Sequence, residues 1–128
     1  MATVQVKALT KDYGEGDAIV HALRGVDLAV EEGAFSVIAG PSGSGKSTLL
    51  NLISGLDNPT SGSVLLSGQE VGSLSVRERA ELRRDKVGFI FQAYNLFPVL
   101  TVVENTEYVL MLQGVGADER RERVTRIL

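Results

Sequence analysis

Apolar and polar residues alternate from the start of the chain. Val4, Gln5, Val6, Lys7, Ala8 and Leu9 carry the period of a strand with one face toward a core. Two more short strands are predicted over residues 18–23 and 26–30. Arg24-Gly25 separates them, and Glu31-Glu32-Gly33 closes the second. Between the first strand and these lies a polar, glycine-rich turn, residues 11–17. Residues 1–33 therefore predict a small antiparallel sheet.

The texture then changes. Residues 34–39, Ala-Phe-Ser-Val-Ile-Ala, are apolar or small throughout, which predicts a strand buried on both faces, as in a parallel sheet. A glycine-serine loop follows over residues 40–45. From Lys46 the pattern is helical, with Leu49, Leu50, Leu52 and Ile53 to one side and Gly55 as the stop. Asn58-Pro59-Thr60-Ser61-Gly62 reads as a turn and Val64-Leu65-Leu66 as a short strand. Ser75 and Glu78 have capping-box spacing before a charged helix to about Lys86, and Thr101 and Glu104 have it before a helix to about Gln113. Residues 87–91 predict another buried strand with Gln92 at its carboxyl end. Asp118 is expected to cap a last helix whose apolar face holds Val124, Ile127 and Leu128. The fold class is α/β: a partial parallel sheet with helices, preceded by an antiparallel β-subdomain.

Composition narrows the field. The chain has 128 residues, enough for one ordinary domain. A net charge of −3 argues against the broad basic field that non-specific nucleic-acid binding requires. With no cysteine, disulfides and thiolate metal sites are excluded, which fits a cytosolic protein without requiring one. The opening residues lack a basic region ahead of a long apolar stretch, so no signal peptide is expected. No apolar run approaches the ~20 residues of a membrane-spanning helix, so any membrane connection is expected to run through a partner.

The most informative segment is Gly40-Pro41-Ser42-Gly43-Ser44-Gly45-Lys46-Ser47, followed by Thr48, which matches G-x-x-x-x-G-K-[ST] at every fixed position. Glycines let successive backbone amides wrap a polyphosphate closely. The following helix turns its free N-terminal amides and positive dipole end toward the anion. Lys46 is expected to reach the β- and γ-phosphates of ATP, and the Ser47 hydroxyl to ligate Mg²⁺. A buried strand before the loop and an amphipathic helix after it supply the context that a bare pattern lacks.

The surrounding text resembles the ATPase subunits of ABC transporters. The resemblance is carried by residues 40–50, by Ile53-Ser-Gly-Leu-Asp-Asn-Pro-Thr-Ser-Gly62, and by Val87-Gly-Phe-Ile-Phe-Gln92. Asn95-Leu-Phe-Pro98 and Thr101-Val-Val-Glu-Asn105 extend it. Within that superfamily, Tyr13 and Val20-His-Ala-Leu-Arg-Gly-Val-Asp-Leu28 look most like the lipoprotein-release and macrolide-export group, which also has a cell-division member. The resemblance implies a P-loop NTPase core over residues 34–128, joined to the antiparallel region 1–33 as the N-terminal part of one nucleotide-binding domain. Tyr13 matches the aromatic residue that stacks on adenine; the alternative is a ring packed on its own sheet. Gln92 matches the glutamine that touches Mg²⁺ or the attacking water; the alternative is a turn residue bonding its own backbone.

The resemblance further implies a transmembrane permease partner received by residues 92–100, where Tyr94, Leu96, Phe97, Pro98 and Leu100 give an apolar loop, and a second ATPase subunit. It implies a place in the cytoplasm, on the inner face of the membrane. His21, the single histidine, precedes the phosphate loop and reads as structural or surface. An L-S-G-G-Q signature and an apolar strand ending in Asp-Glu, which the family uses for hydrolysis, do not occur in these 128 residues. The expectation is an ABC-type ATPase whose chain as given binds ATP–Mg²⁺ with little turnover. The alternative is a binding module that holds ATP or a partner without hydrolysis. A GTPase would carry an Asn-Lys-x-Asp guanine reader, and a kinase a basic lid; neither is found.

Overall fold

The computed structural model describes residues 2–128. They form two compact units, residues 1–80 and 81–128.

The first unit is built on four strands: β1 (Ala2–Tyr13), β2 (Val20–Glu31), β3 (Ser61–Leu66) and β4 (Gln69–Glu70). Their order across the sheet is β2-β1-β3-β4, and every neighbouring pair is antiparallel. Helix α1 (Lys46–Ile53) lies against β1, β2 and β3. The core forms where the two layers meet: Leu9, Leu52, Val64 and Val71 are fully buried, with Val6, Leu23, Leu49 and Leu66 around them. Removing that apolar area from water is what holds the layers together.

Several local details differ from the sequence pattern. The strands expected at 18–23 and 26–30 are one continuous strand, β2. Gly25 adopts φ +80° as the extra residue of a bulge, since Leu9 pairs with Val26 and Thr10 with Arg24. The glycine therefore bends the strand without ending it. The expected turn at 11–17 begins later, because β1 runs on to Tyr13, opposite Val20. A second irregularity in β1 places Ala8 at φ +44°, with its amide donating to Asp27 Oδ1 at 2.9 Å. There the backbone of Gly62, at φ +82°, comes so near that a Cβ would lie 2.4 Å from the Ala8 carbonyl oxygen.

The two segments expected as buried parallel strands form no ladder. Residues 34–39 have no regular structure and are wholly exposed; Phe35 is 93% accessible. Residues 87–91 are likewise outside any strand, with Ile90 fully exposed. A central parallel strand exists only through neighbours on both edges, and among the described residues none pairs with either segment. Among the described residues the antiparallel sheet and the four helices are present, with the shifts in bounds reported for each.

The second unit is helical. The unit boundary falls inside α2 (Val76–Lys86), while α3 (Val102–Leu112) and α4 (Ala117–Ile127) pack on each other. Val124 is buried, and Arg120 joins the helices by pairing with Glu107 at 3.1 Å. Both predicted capping boxes are present. Ser75 Oγ accepts from the Glu78 amide while Glu78 returns a carboxylate to the Ser75 amide at 2.8 Å, and Thr101 and Glu104 repeat the arrangement. The last helix starts earlier than expected: Gly116, not Asp118, is its N-cap, and Asp118 sits in the first turn, where its charge favours the helix dipole.

Gly62→Ala is expected to lower the stability of the first unit by at least about 2 kcal/mol, through left-handed strain and the backbone overlap with Ala8. A urea unfolding midpoint equal to that of the unchanged protein would refute this account of the β1–β3 contact.

Candidate functional site

The loop of residues 40–45 turns the chain from the exposed segment into α1. Gly43 and Gly45 take φ of +79° and +89°, values open to glycine. Gly45 is also pressed on β2: a Cβ there would lie 2.7 Å from the Ala22 carbonyl oxygen and 2.8 Å from Leu23 Cδ2. This contact sets the N-terminus of α1 against the strand. Gly40 is close to the other limb of the loop, since a Cβ on it would lie 2.8 Å from Ser44 Oγ.

Lys46 is the first helical residue, and its side chain bends back under the loop. The ammonium donates to the carbonyls of Gly40 at 2.8 Å and Pro41 at 2.7 Å, and to Ser44 Oγ at 3.2 Å. Gly45 at the N-cap offers no side chain to the first-turn amides, and such amides have no acceptor within a helix. The result is a depression of about 570 Å³ lined by residues 42–48 on one side and by Val20, His21 and Ala22 of β2 on the other. Backbone N–H groups, an ammonium and hydroxyls converge there, a donor set that suits a multiply charged anion.

Among the residues singled out in the sequence, Ser42, Gly43, Ser44, Gly45, Lys46, Ser47 and Thr48 line this depression, whereas Gly40 and Pro41 hold Lys46 from behind. Tyr13 is not in the lining; it lies one strand away, opposite the lining residue Val20. Gln92 is exposed at a bend in the second unit and follows a segment without regular structure, not a strand.

The sequence pattern missed three features. His21 lines the depression, with Nδ1 2.7 Å from Asp12 Oδ1. Asp57, in the loop after α1, accepts from Lys11 Nζ at 2.8 Å and from the Tyr13 hydroxyl at 2.8 Å. Partial burial pushes the Asp57 carboxyl up. The bonds from Lys11, Tyr13 and the Asn58 amide outweigh that and hold it below the ordinary carboxylate value. The third is Asn105 in the second unit. Its amide group donates to the carbonyls of Phe97, Leu100 and Thr101, and its oxygen accepts the Phe97 N–H at 2.8 Å. Together with Phe97 stacking at a tilt on Tyr108, Asn105 shapes an apolar groove of about 260 Å³ along residues 96–106. No local signal announces the Asp57 contacts, because their partners lie more than forty positions away in the chain.

The loop, the helix behind it and the sheet are those of an α/β fold of the phosphate-loop pattern, and comparison with known proteins specifies the family. Residues 23–128 match the protein-family model described as ABC transporter. The chain belongs to that family. An uncharacterized ABC transporter ATP-binding protein of Thermotoga maritima is 49% identical over 118 residues, 92% of this chain and 50% of its own length. The macrolide export ATP-binding/permease protein MacB of Marinobacter nauticus is 43% identical over 125 residues, 98% of this chain and 19% of its own length. The ATP-binding cassette MJ0796 of Methanocaldococcus jannaschii is 45% identical over 128 residues, 98% of this chain and 54% of its own length. Its solved dimer in a post-hydrolysis state, bound to ADP and Pi, superposes with a TM-score of 0.90 over 96% of this chain and 54% of that one. The chain thus spans about half the length of two of these relatives. Among the described residues, no helix is long and apolar enough to cross a membrane.

Replacing Asn105 by Ala is expected to free the 97–101 loop. Hydrogen exchange at the Phe97 amide should accelerate, with a stability loss of about 0.5–1.5 kcal/mol, the net worth of a hydrogen bond whose partners face solvent once it is broken. Unaltered exchange at Phe97 would show that the loop is held by its apolar contacts alone.

Proposed function

We propose that the chain is the N-terminal part of one nucleotide-binding domain of an ABC transporter, with residues 1–33 an antiparallel region and 34–128 a partial P-loop core. It binds ATP–Mg²⁺ in the depression at the start of α1. The observation that carries this reading is the convergence of the Lys46 ammonium and the free amides of α1 on one cleft, on a backbone where Gly45 leaves no room for a side chain.

In this reading the amides of residues 42–48 wrap the phosphates, and Lys46 exchanges its loop carbonyls for phosphate oxygens. Both fit the donor set described above. The Ser47 hydroxyl, exposed in the lining, is of the right type to hold Mg²⁺. The metal, when bound, would neutralise charge on the β- and γ-phosphates. Tyr13 stacks on the adenine, and Gln92 serves the metal and the attacking water. Across the family, ATP binding and hydrolysis would drive transport or membrane extraction of a substrate.

The partner assignments follow the same reasoning. The groove along residues 96–106 supports docking of a transmembrane permease through residues 92–100. The solved MJ0796 dimer supports pairing with a second ATPase subunit. With such partners the protein would sit in the cytoplasm, on the inner face of the membrane. The unpaired segments 34–39 and 87–91 support a domain that extends beyond these residues, since their exposed apolar side chains fit the interior of a parallel sheet. No carboxylate lines the depression among the described residues, so the chain on its own is proposed to bind ATP–Mg²⁺ with inefficient turnover.

Titration calorimetry with ATP–Mg²⁺ and a phosphate-release assay, with Lys46→Ala beside the unchanged protein, test this. Binding weakened by at least about tenfold in the variant is expected, because a charged hydrogen bond to phosphate is lost. Release should stay near the variant's background. Equal affinity in the two proteins would refute the assignment of the depression, and turnover well above background would refute the claim of inefficiency.

A further inference from the structure

The hydroxyl and one ring face of Tyr13 are both spoken for. Its hydroxyl donates to Asp57 Oδ2 at 2.8 Å, and the Lys11 ammonium lies over the ring, 4.8 Å from its centre. Lys11 and Tyr13 are two residues apart on β1 and so project from the same face of the strand. The ammonium is itself fixed, by Asp57 Oδ1 at 2.8 Å and by the Asn58 carbonyl at 2.7 Å, and its side chain is only 12% exposed. Asp57 therefore grips both ends of the arrangement, one carboxylate oxygen on the ring's hydroxyl and the other on the cation beneath the ring.

The anchor comes from the phosphate loop's own helix. Gly55, at φ +70°, ends α1. The turn beyond it folds back so that the amides of Leu56 and Asp57 donate to the Asn51 carbonyl. That turn carries Asp57 to β1. A fixed connection thus runs from Lys46 at one end of α1, through the helix, to Tyr13.

We infer that Asp57 and Lys11 are positioning residues for nucleotide recognition: they hold the Tyr13 ring at a set height and tilt relative to the phosphate loop, with the cation on one face and the opposite face left for the base. The inference rests on the reading of Tyr13 as the base-stacking residue and adds what orients it. It has a chemical consequence. The network acts on the base end of a nucleoside triphosphate only, so it favours ATP over a bare polyphosphate that the same loop would hold.

The test compares binding of ATP–Mg²⁺ with binding of inorganic tripolyphosphate–Mg²⁺ by calorimetry, in Tyr13→Ala, Tyr13→Phe, Asp57→Ala and the Tyr13→Phe/Asp57→Ala double variant. Tyr13→Phe keeps the ring and its packing, so it guards against loss through misfolding. Tyr13→Ala should weaken ATP by at least about fivefold, the loss of one base–aromatic stack. Tyr13→Phe and Asp57→Ala should each weaken ATP by about two- to tenfold, the range of one hydrogen bond. The double variant should be no worse than Asp57→Ala, because the two changes cut the same link. Tripolyphosphate should bind all four variants as it binds the unchanged protein.

Other outcomes overturn the inference in separable ways. If Tyr13→Ala weakens ATP but Tyr13→Phe and Asp57→Ala do not, the ring stacks without being positioned, and the proposed function stands. If Asp57→Ala weakens both ligands alike, its role is to support the loop as a whole. If Tyr13→Ala leaves ATP binding unchanged, the ring does not meet the base, and the reading of Tyr13 falls with the inference.

Discussion

Gly45 meets strand β2 with no room for a side chain between them. That approach, backbone against backbone, decides where α1 begins and therefore where its free amides point. It also sets the cleft width, because β2 forms the wall opposite the loop. The sheet supplies the fixed side. β2 is held by β1 along most of its length, and β1 is held in turn by β3, so the wall cannot retreat without opening the core around Leu9 and Val64. A loop of small residues takes a defined shape because a packed antiparallel sheet backs it.

How much of this the sequence disclosed depends on how far apart the cooperating residues lie. The turn of the glycine-serine loop at residues 40–45, the capping boxes at Ser75 and Thr101 and the helix stop at Gly55 are local devices: the residue types and spacings that make them sit within a few positions of one another. They were legible, and so was the family. The bulge at Gly25 was misread because a glycine breaks a pattern in the same way whether it ends a strand or bends it; only the pairing of Leu9 with Val26 and of Thr10 with Arg24 distinguishes the two. Segments 34–39 and 87–91 carry the composition of buried strands, but a strand is a relation between segments. Composition records the environment a segment suits, and the ladder requires a neighbour as well.

The least legible part was the side-chain network around Asp57. Nothing near Leu56-Asp57-Asn58 marks the aspartate as the partner of a tyrosine and a lysine on the first strand. His21 was similarly hidden: a histidine on a half-exposed strand reads as surface until the loop is seen across from it. Asn105 gives the same lesson in the second unit, where one side chain ties three backbone carbonyls and an amide into a single turn. At Asp57 and Asn105 a short polar side chain does what backbone ladders do elsewhere, joining segments that have no regular structure in common.

The β1–β2 pairing bears also on the order in which the molecule assembles. Only residues 14–19 separate the two strands, so their ladder closes a short loop and sacrifices little chain freedom. The β1–β3 pairing joins residues some fifty to sixty positions apart and must enclose the whole of α1. Near pairings form ahead of distant ones when both bury comparable surface. Chain entropy therefore favours closing the hairpin before the cleft, so that the loop of residues 40–45 meets a wall already paired. By the same argument the cleft is the half expected to reopen first, while the hairpin behind it keeps its register.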